Sequence, residues 1–110
     1  MRDEEREETW KAFRDLVNMT PAEMDAWLSS QQSRSAGQHQ DGAESTGHAS
    51  GRRILAVSRA RKADLSDDDY QHMRKVAGYI RRHLAQRPSG DLRDTRWRHS
   101  LMNWGHDPLK

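Results

Sequence analysis

Residues 70–90, YQHMRKVAGYIRRHLAQRPSG, carry five cationic side chains and no carboxylate in a chain of which 33% is charged. At about 100° per residue, Met73, Val76, Ala77, Ile80 and Leu84 fall on one face of a helix, while Arg74, Lys75, Arg81 and Arg82 gather nearly opposite. The apolar stripe has to be buried against other helices. The basic face is an electrostatic footprint for phosphate or for an acidic partner.

Working outward from that helix, Ser66 is placed to cap it. Asp67, Asp68 and Asp69 then fall in the first turn, where the helix dipole favours carboxylates, and the helix is expected to stop near Arg87, before Pro88-Ser89-Gly90. Upstream, Ser50 is expected to cap a helix over residues 51–62, with Ile54, Leu55 and Val57 inward and Arg52, Arg53, Arg59, Arg61 and Lys62 largely outward. Downstream, Trp97, Leu101 and Trp104 repeat at i, i+4, i+7 in a short helix over residues 95–104. Gly105 suits its C-terminal cap and Pro108 a stop. That stripe is expected to form a seam against Met73, Val76, Ile80 and Leu84.

Toward the N-terminus, Trp10, Phe13, Leu16 and Val17 pattern a first helix over residues 3–17. Thr20-Pro21-Ala22-Glu23 is a capping box with proline at the first helical position, starting a second helix over residues 21–31 with Met24, Trp27 and Leu28 on one side. Between them and the basic core lies SRSAGQHQDGAESTG, residues 33–47, which has no large apolar side chain. It reads as a flexible connector. No alternating strand pattern appears, so the expected class is all-α: about five helices in one structural domain, with an acidic helical pair at 1–32, the connector at 33–47 and a basic helical core at 48–110.

Leu, Ile, Val and Phe make up only 14 of 110 residues, a level associated with disorder when net charge is high, but the net charge here is +2. Four Trp and five Met supply the missing apolar area. Charge is unevenly placed: residues 1–33 sum to −4 and the remainder to +6. This asymmetry suits either a nucleic-acid surface with an acidic counterweight or docking of an acidic head on a basic body. Cysteine is absent, which removes disulfides, thiol catalysis and cysteine-ligated zinc. With no apolar run of membrane-spanning length and an acidic start, RDEEREE, unlike a signal peptide, a soluble cytoplasmic protein is expected.

The two helices around Ala63-Asp64-Leu65 invite a helix-turn-helix reading. A recognition helix presents its N-terminal residues to base edges, and here those are Asp67, Asp68 and Asp69, which phosphates repel. Backbone contact without base readout fits better, through Arg74, Lys75, Arg81 and Arg82 together with Arg52, Arg53, Arg59, Arg61 and Lys62. The bland account of the same residues is a solvated basic face. His72 and His83 stand too far apart along one helix for a single ion, and His99, His106 and Asp107 match no metal spacing, so no metal or cofactor is expected. No nucleophile, phosphate-loop or dinucleotide motif is present, and an enzyme is not expected. Asn103, Trp104, His106 and Asp107 form an alternative surface, since specific side chains are concentrated there beside a core seam.

Met19-Thr20-Pro21 with Trp27-Leu28, Ser50-Gly51-Arg52-Arg53-Ile54, Asp67-Asp68-Asp69-Tyr70, His72-Met73-Arg74-Lys75-Val76, Arg82-His83-Leu84-Ala85-Gln86-Arg87-Pro88, and Trp97-Arg98 with Leu101 through Pro108 resemble the bacterial and fungal family called domain of unknown function 3140. The resemblance covers nearly the whole chain. Some members of that family carry a DNA-binding label, which implies DNA as a partner and assigns no residue roles. The expected function is therefore non-specific nucleic-acid binding through a basic helical face; the alternative is a protein–protein adaptor whose basic body meets an acidic protein or another copy's acidic head.

Overall fold

The computed structural model describes residues 1–36 and 46–110. Among the described residues six α-helices follow in order: α1 (Asp3–Leu16), α2 (Pro21–Leu28), α3 (Gln31–Ala36), α4 (Thr46–Arg59), α5 (Asp67–Leu84) and α6 (Arg96–Asn103), with a 3₁₀ turn at Lys62–Asp64 between α4 and α5. No strand occurs among the described residues, and the class is all-α.

The start signals act as the residue types dictate. Thr20 Oγ1 accepts the Glu23 amide at 3.2 Å while Glu23 Oε1 accepts the Thr20 amide at 2.8 Å. Ser66 and Asp69 repeat the exchange at 3.1 and 2.9 Å, so the carboxylates expected at the start of α5 begin with a reciprocal cap. Thr95 Oγ1 caps α6 by accepting the Arg98 amide at 3.1 Å. Gly105 follows α6 with φ +85°, and a Cβ there would lie 2.9 Å from Val17, so both backbone and space require glycine.

Three expectations need correction. The stretch assigned to an unstructured connector is helical at both ends: residues 33–36 belong to α3 and residues 46–47 open α4, while residues 37–45 lie outside the described residues. α3 carries no large apolar residue because what it buries is small, Ser33 and Ala36. Second, α4 begins at Thr46 rather than Gly51 and ends at Arg59. Ser50 is not its cap; it is buried inside the helix, with its hydroxyl 2.9 Å from His72 Nε2. Third, α5 ends at Leu84, since Pro88 disfavours helical backbone at Arg87 and the last turn closes ahead of it.

The core centres on α5, which buries Tyr70, Met73, Val76, Ala77 and Ile80. α1 packs along α5 with their N-terminal ends together, where the Met1 amino group lies 3.0 Å from Asp67 Oδ1. Trp97, Leu101 and Trp104 share one apolar cluster with Met73, Val76 and Ile80, and Leu84 packs against its edge. α6 is nevertheless covered mainly by α3, with α2, α4 and α5 closing the other sides. The close approach of α4 depends on Gly51: a Cβ there would lie 2.5 Å from the Asn103 carbonyl oxygen and 2.7 Å from Leu28 Cδ2.

Candidate functional site

Burying the apolar stripe of α5 turns Arg74, Lys75, Arg81 and Arg82 outward, and all four are exposed. They span about 12 Å of helix at 1.5 Å per residue. Among the described residues none of them pairs with a carboxylate. Arg82 folds back over Gly78, where an added Cβ would stand 3.1 Å from its Nη1. The acidic first turn is engaged elsewhere: Asp67 meets Met1 and Arg6, and Asp69 caps its own helix while lying 3.6 Å from Arg53.

The cations assigned to the preceding helix and turn behave differently. Arg53 faces Asp69, Arg59 lies 3.9 Å from Asp25, Arg61 pairs with Asp64 at 3.0 Å, and Lys62 pairs with Glu7 at 2.6 Å. Lys62 also sits 4.3 Å from the centre of the Trp10 ring. Arg52 is exposed on α4. Such surface pairs contribute little stability each, but they offset charge that a polyanion would need. The nine basic residues therefore divide into four unpaired cations on α5 and a set on α4 and the following turn largely engaged with carboxylates of this same chain.

The alternative surface is drawn inward. Asn103 is 1% exposed and Trp104 5%. Asn103 Oδ1 accepts from Trp27 Nε1 at 2.9 Å and from the Ser33 hydroxyl, and its Nδ2 donates to the Ser33 carbonyl at 2.9 Å. Asp107 takes two hydrogen bonds from Arg98, at 3.1 and 3.0 Å. Its backbone exchanges two more with the Asn18 side chain, at 3.0 and 2.8 Å. Burial raises the Asp107 carboxyl, but the Arg98 contacts and the Leu109 amide more than offset this and hold it below the usual carboxylate range. His106 Nδ1 lies 2.6 Å from the Leu16 carbonyl oxygen. These side chains clasp α6 and the segment after it to α1, α2 and α3.

The histidines stay apart. His72 is half-buried beside Ser50, and that burial, with Arg53 and Lys75 nearby, lowers its pKa to about 4. His99 packs 5.2 Å from the Trp27 ring. Among the described residues no three His, Asp or Glu side chains are grouped to hold a metal ion.

What the sequence did not reveal is a cavity of about 470 Å³ between α5, α6 and the first turn of α4. Tyr79, His83, Arg96, Ser100 and Trp104 line it. The i, i+4 spacing of Tyr79 and His83 on the flank of α5 was its one signal. Their rings stack at 5.3 Å, and Tyr79 stacks in turn on Trp104 at 4.1 Å. Burial raises the Tyr79 phenol and lowers the His83 imidazole.

The family model described as "Protein of unknown function (DUF3140)" matches residues 12–102. The chain belongs to this family. The DUF3140 match takes in only the end of α1, residues 12–16, with all of α2 through α5, and it stops at Met102, one position before the clasp residue Asn103. No curated protein and no solved structure matches the chain. No helix of the described residues is long and apolar enough to cross a membrane.

Proposed function

We propose that this DUF3140 protein binds nucleic acid, most simply duplex DNA, through the phosphate backbone and without base readout. The observation that carries the reading is the cationic face of α5: Arg74, Lys75, Arg81 and Arg82 are exposed on one rigid helix and, among the described residues, have no carboxylate partner. Cations so arranged release counterions when they meet phosphates, which makes affinity depend on salt rather than sequence. The acidic start of α5 argues against a helix that enters a groove by its N-terminus. Arg52, Arg53, Arg59, Arg61 and Lys62 are a secondary contribution, reduced by the carboxylates that Arg53, Arg59, Arg61 and Lys62 face.

The test is duplex binding at several salt concentrations. Four neutralised phosphates give a slope of log K against log salt of roughly −3.6, with random and defined duplexes bound within a few-fold of each other. The Arg81→Glu, Arg82→Glu double variant should lose about half the slope while its helix content stays constant, because both side chains project outward. An unchanged slope removes this face as the site. Binding of polyglutamate in place of any duplex would overturn the nucleic-acid reading in favour of an acidic protein partner.

A further inference from the structure

Buried tryptophans and tyrosines usually find a partner for their polar atom. Trp27 donates to Asn103 Oδ1 at 2.9 Å, and Trp97 donates to the His83 carbonyl at 2.7 Å. Trp104 is 5% exposed, yet among the described residues its indole N–H meets no acceptor. Nor does the half-buried Tyr79 hydroxyl have a partner there. Both side chains line the cavity of about 470 Å³, a size typical of small-molecule sites.

Arg96 lines the same cavity. Its Nε donates to the Ala36 carbonyl at 3.3 Å, and its terminal nitrogens have no partner among the described residues. Among the described residues that line it there is no carboxylate. Ring faces are not on offer: Trp104, Tyr79, His83 and Trp97 form one near-parallel column, with successive centroids 4.1, 5.3 and 6.2 Å apart. Stacked rings leave their edges for the cavity, and two of the polar groups on those edges, the Trp104 indole N–H and the Tyr79 hydroxyl, can donate. Gly47 keeps one of them open, since a Cβ on it would crowd the Trp104 Nε1 atom at 3.3 Å.

We infer that this cavity is a binding site for a small molecule bearing an oxyanion, a phosphate or a carboxylate, held by Arg96, the Trp104 indole N–H and the Tyr79 hydroxyl. An anionic oxygen is the acceptor that matches unpaired donors beside a cation, and a charge-assisted hydrogen bond is the strong kind. The site is separate from the α5 cationic face and does not depend on DNA binding.

The test follows the indole N–H signals of the ¹⁵N-labelled full chain, with the Trp104 signal assigned by its loss in Trp104→Phe. Inorganic phosphate and succinate are titrated separately. The expected result is a saturable shift of the Trp104 signal while those of Trp27 and Trp97 stay in place. The probe that saturates at lower concentration tells phosphate from carboxylate. Arg96→Gln, at an exposed position, should weaken binding about ten-fold, and Tyr79→Phe should weaken it by a smaller factor. No saturation with either probe overturns the inference, and so does saturation that Arg96→Gln leaves unchanged. The Arg81→Glu, Arg82→Glu variant should keep the Trp104 shift while losing duplex affinity, so the two readings can fail separately.

Discussion

Ser33 and Asn103, 70 positions apart, are joined by two hydrogen bonds: the Ser33 hydroxyl donates to Asn103 Oδ1, and Asn103 Nδ2 donates to the Ser33 carbonyl at 2.9 Å. Both residues are buried. Replacing Asn103 with Leu keeps its approximate volume but strands the Trp27 N–H and the Ser33 hydroxyl and carbonyl. Since each stranded buried group costs ~1–3 kcal/mol and three are stranded, Asn103→Leu should lower the unfolding free energy by at least ~3 kcal/mol in a urea titration. Wild-type stability in that variant would show that the clasp does not hold α3 to α6.

Two helical glycines should respond to alanine with opposite signs. At Gly51 the added methyl meets the Asn103 backbone oxygen at 2.5 Å, which cannot move without shifting α6. Overpacking of that kind costs ~1–3 kcal/mol and outweighs the gain in helix propensity. At Gly78 the nearest atom is the flexible tip of Arg82 at 3.1 Å, so propensity should prevail and stabilise the protein by ~0.5–1 kcal/mol. Thermal melts of Gly51→Ala and Gly78→Ala check both, and equal shifts would discard the packing argument.

Acid should weaken the fold through His72. Burial beside Ser50, with Arg53 and Lys75 opposing the charged ring and Asp69 favouring it, lowers its pKa from 6.5 to about 4. Between those values the unfolded chain takes up a proton that the folded chain refuses, so this stability is complete above pH 6.5 and lost as pH falls toward 4. The loss should be about 1–2 kcal/mol after allowance for solvent screening of a partly buried ring. His72→Gln should flatten that limb of a stability–pH profile; an unaltered limb would assign it elsewhere.

Trp104 stacks on Tyr79 inside the apolar cluster. Trp104→Ala should cost ~3–5 kcal/mol, a large share of the total stability of a domain this size, and broaden or abolish the cooperative melt. Trp104→Phe should retain most of the stability, because it keeps a ring in the column. A Trp104→Ala variant that melts like the parent would mean that the ring is a surface feature.

Elements whose signals are local were legible. Thr20 and Ser66 cap the helices that the sequence assigns to them, and the stripe of α5 alone dictates which face is buried. Elements defined by distant partners were not. α3 carries only small and polar residues, and it is held by Asn103, far along the chain. Ser50 has the chemistry of a cap, but its hydroxyl turns sideways to His72, and no property of residues 46–50 alone discloses that. The pairing of Lys62 with Glu7 and of Arg59 with Asp25 likewise depends on how the helices dock. The four α5 cations could be read in advance because their own helix excludes carboxylates from their neighbourhood.

The exchange of hydrogen bonds between Asn18 and Asp107 links positions 89 apart, and Trp27 reaches Asn103 across 76. Helical proteins usually fold quickly because their contacts are local. Here the groups that fix α6 can meet only after the chain has closed on itself, and closure entropy has to be overcome before those bonds return anything. The folding barrier is therefore set by topology more than by helix formation. Weakening the clasp should accelerate unfolding far more than it retards folding, so the persistence of the native state under proteolysis or force is governed by hydrogen bonds in which none of the four α5 cations takes part.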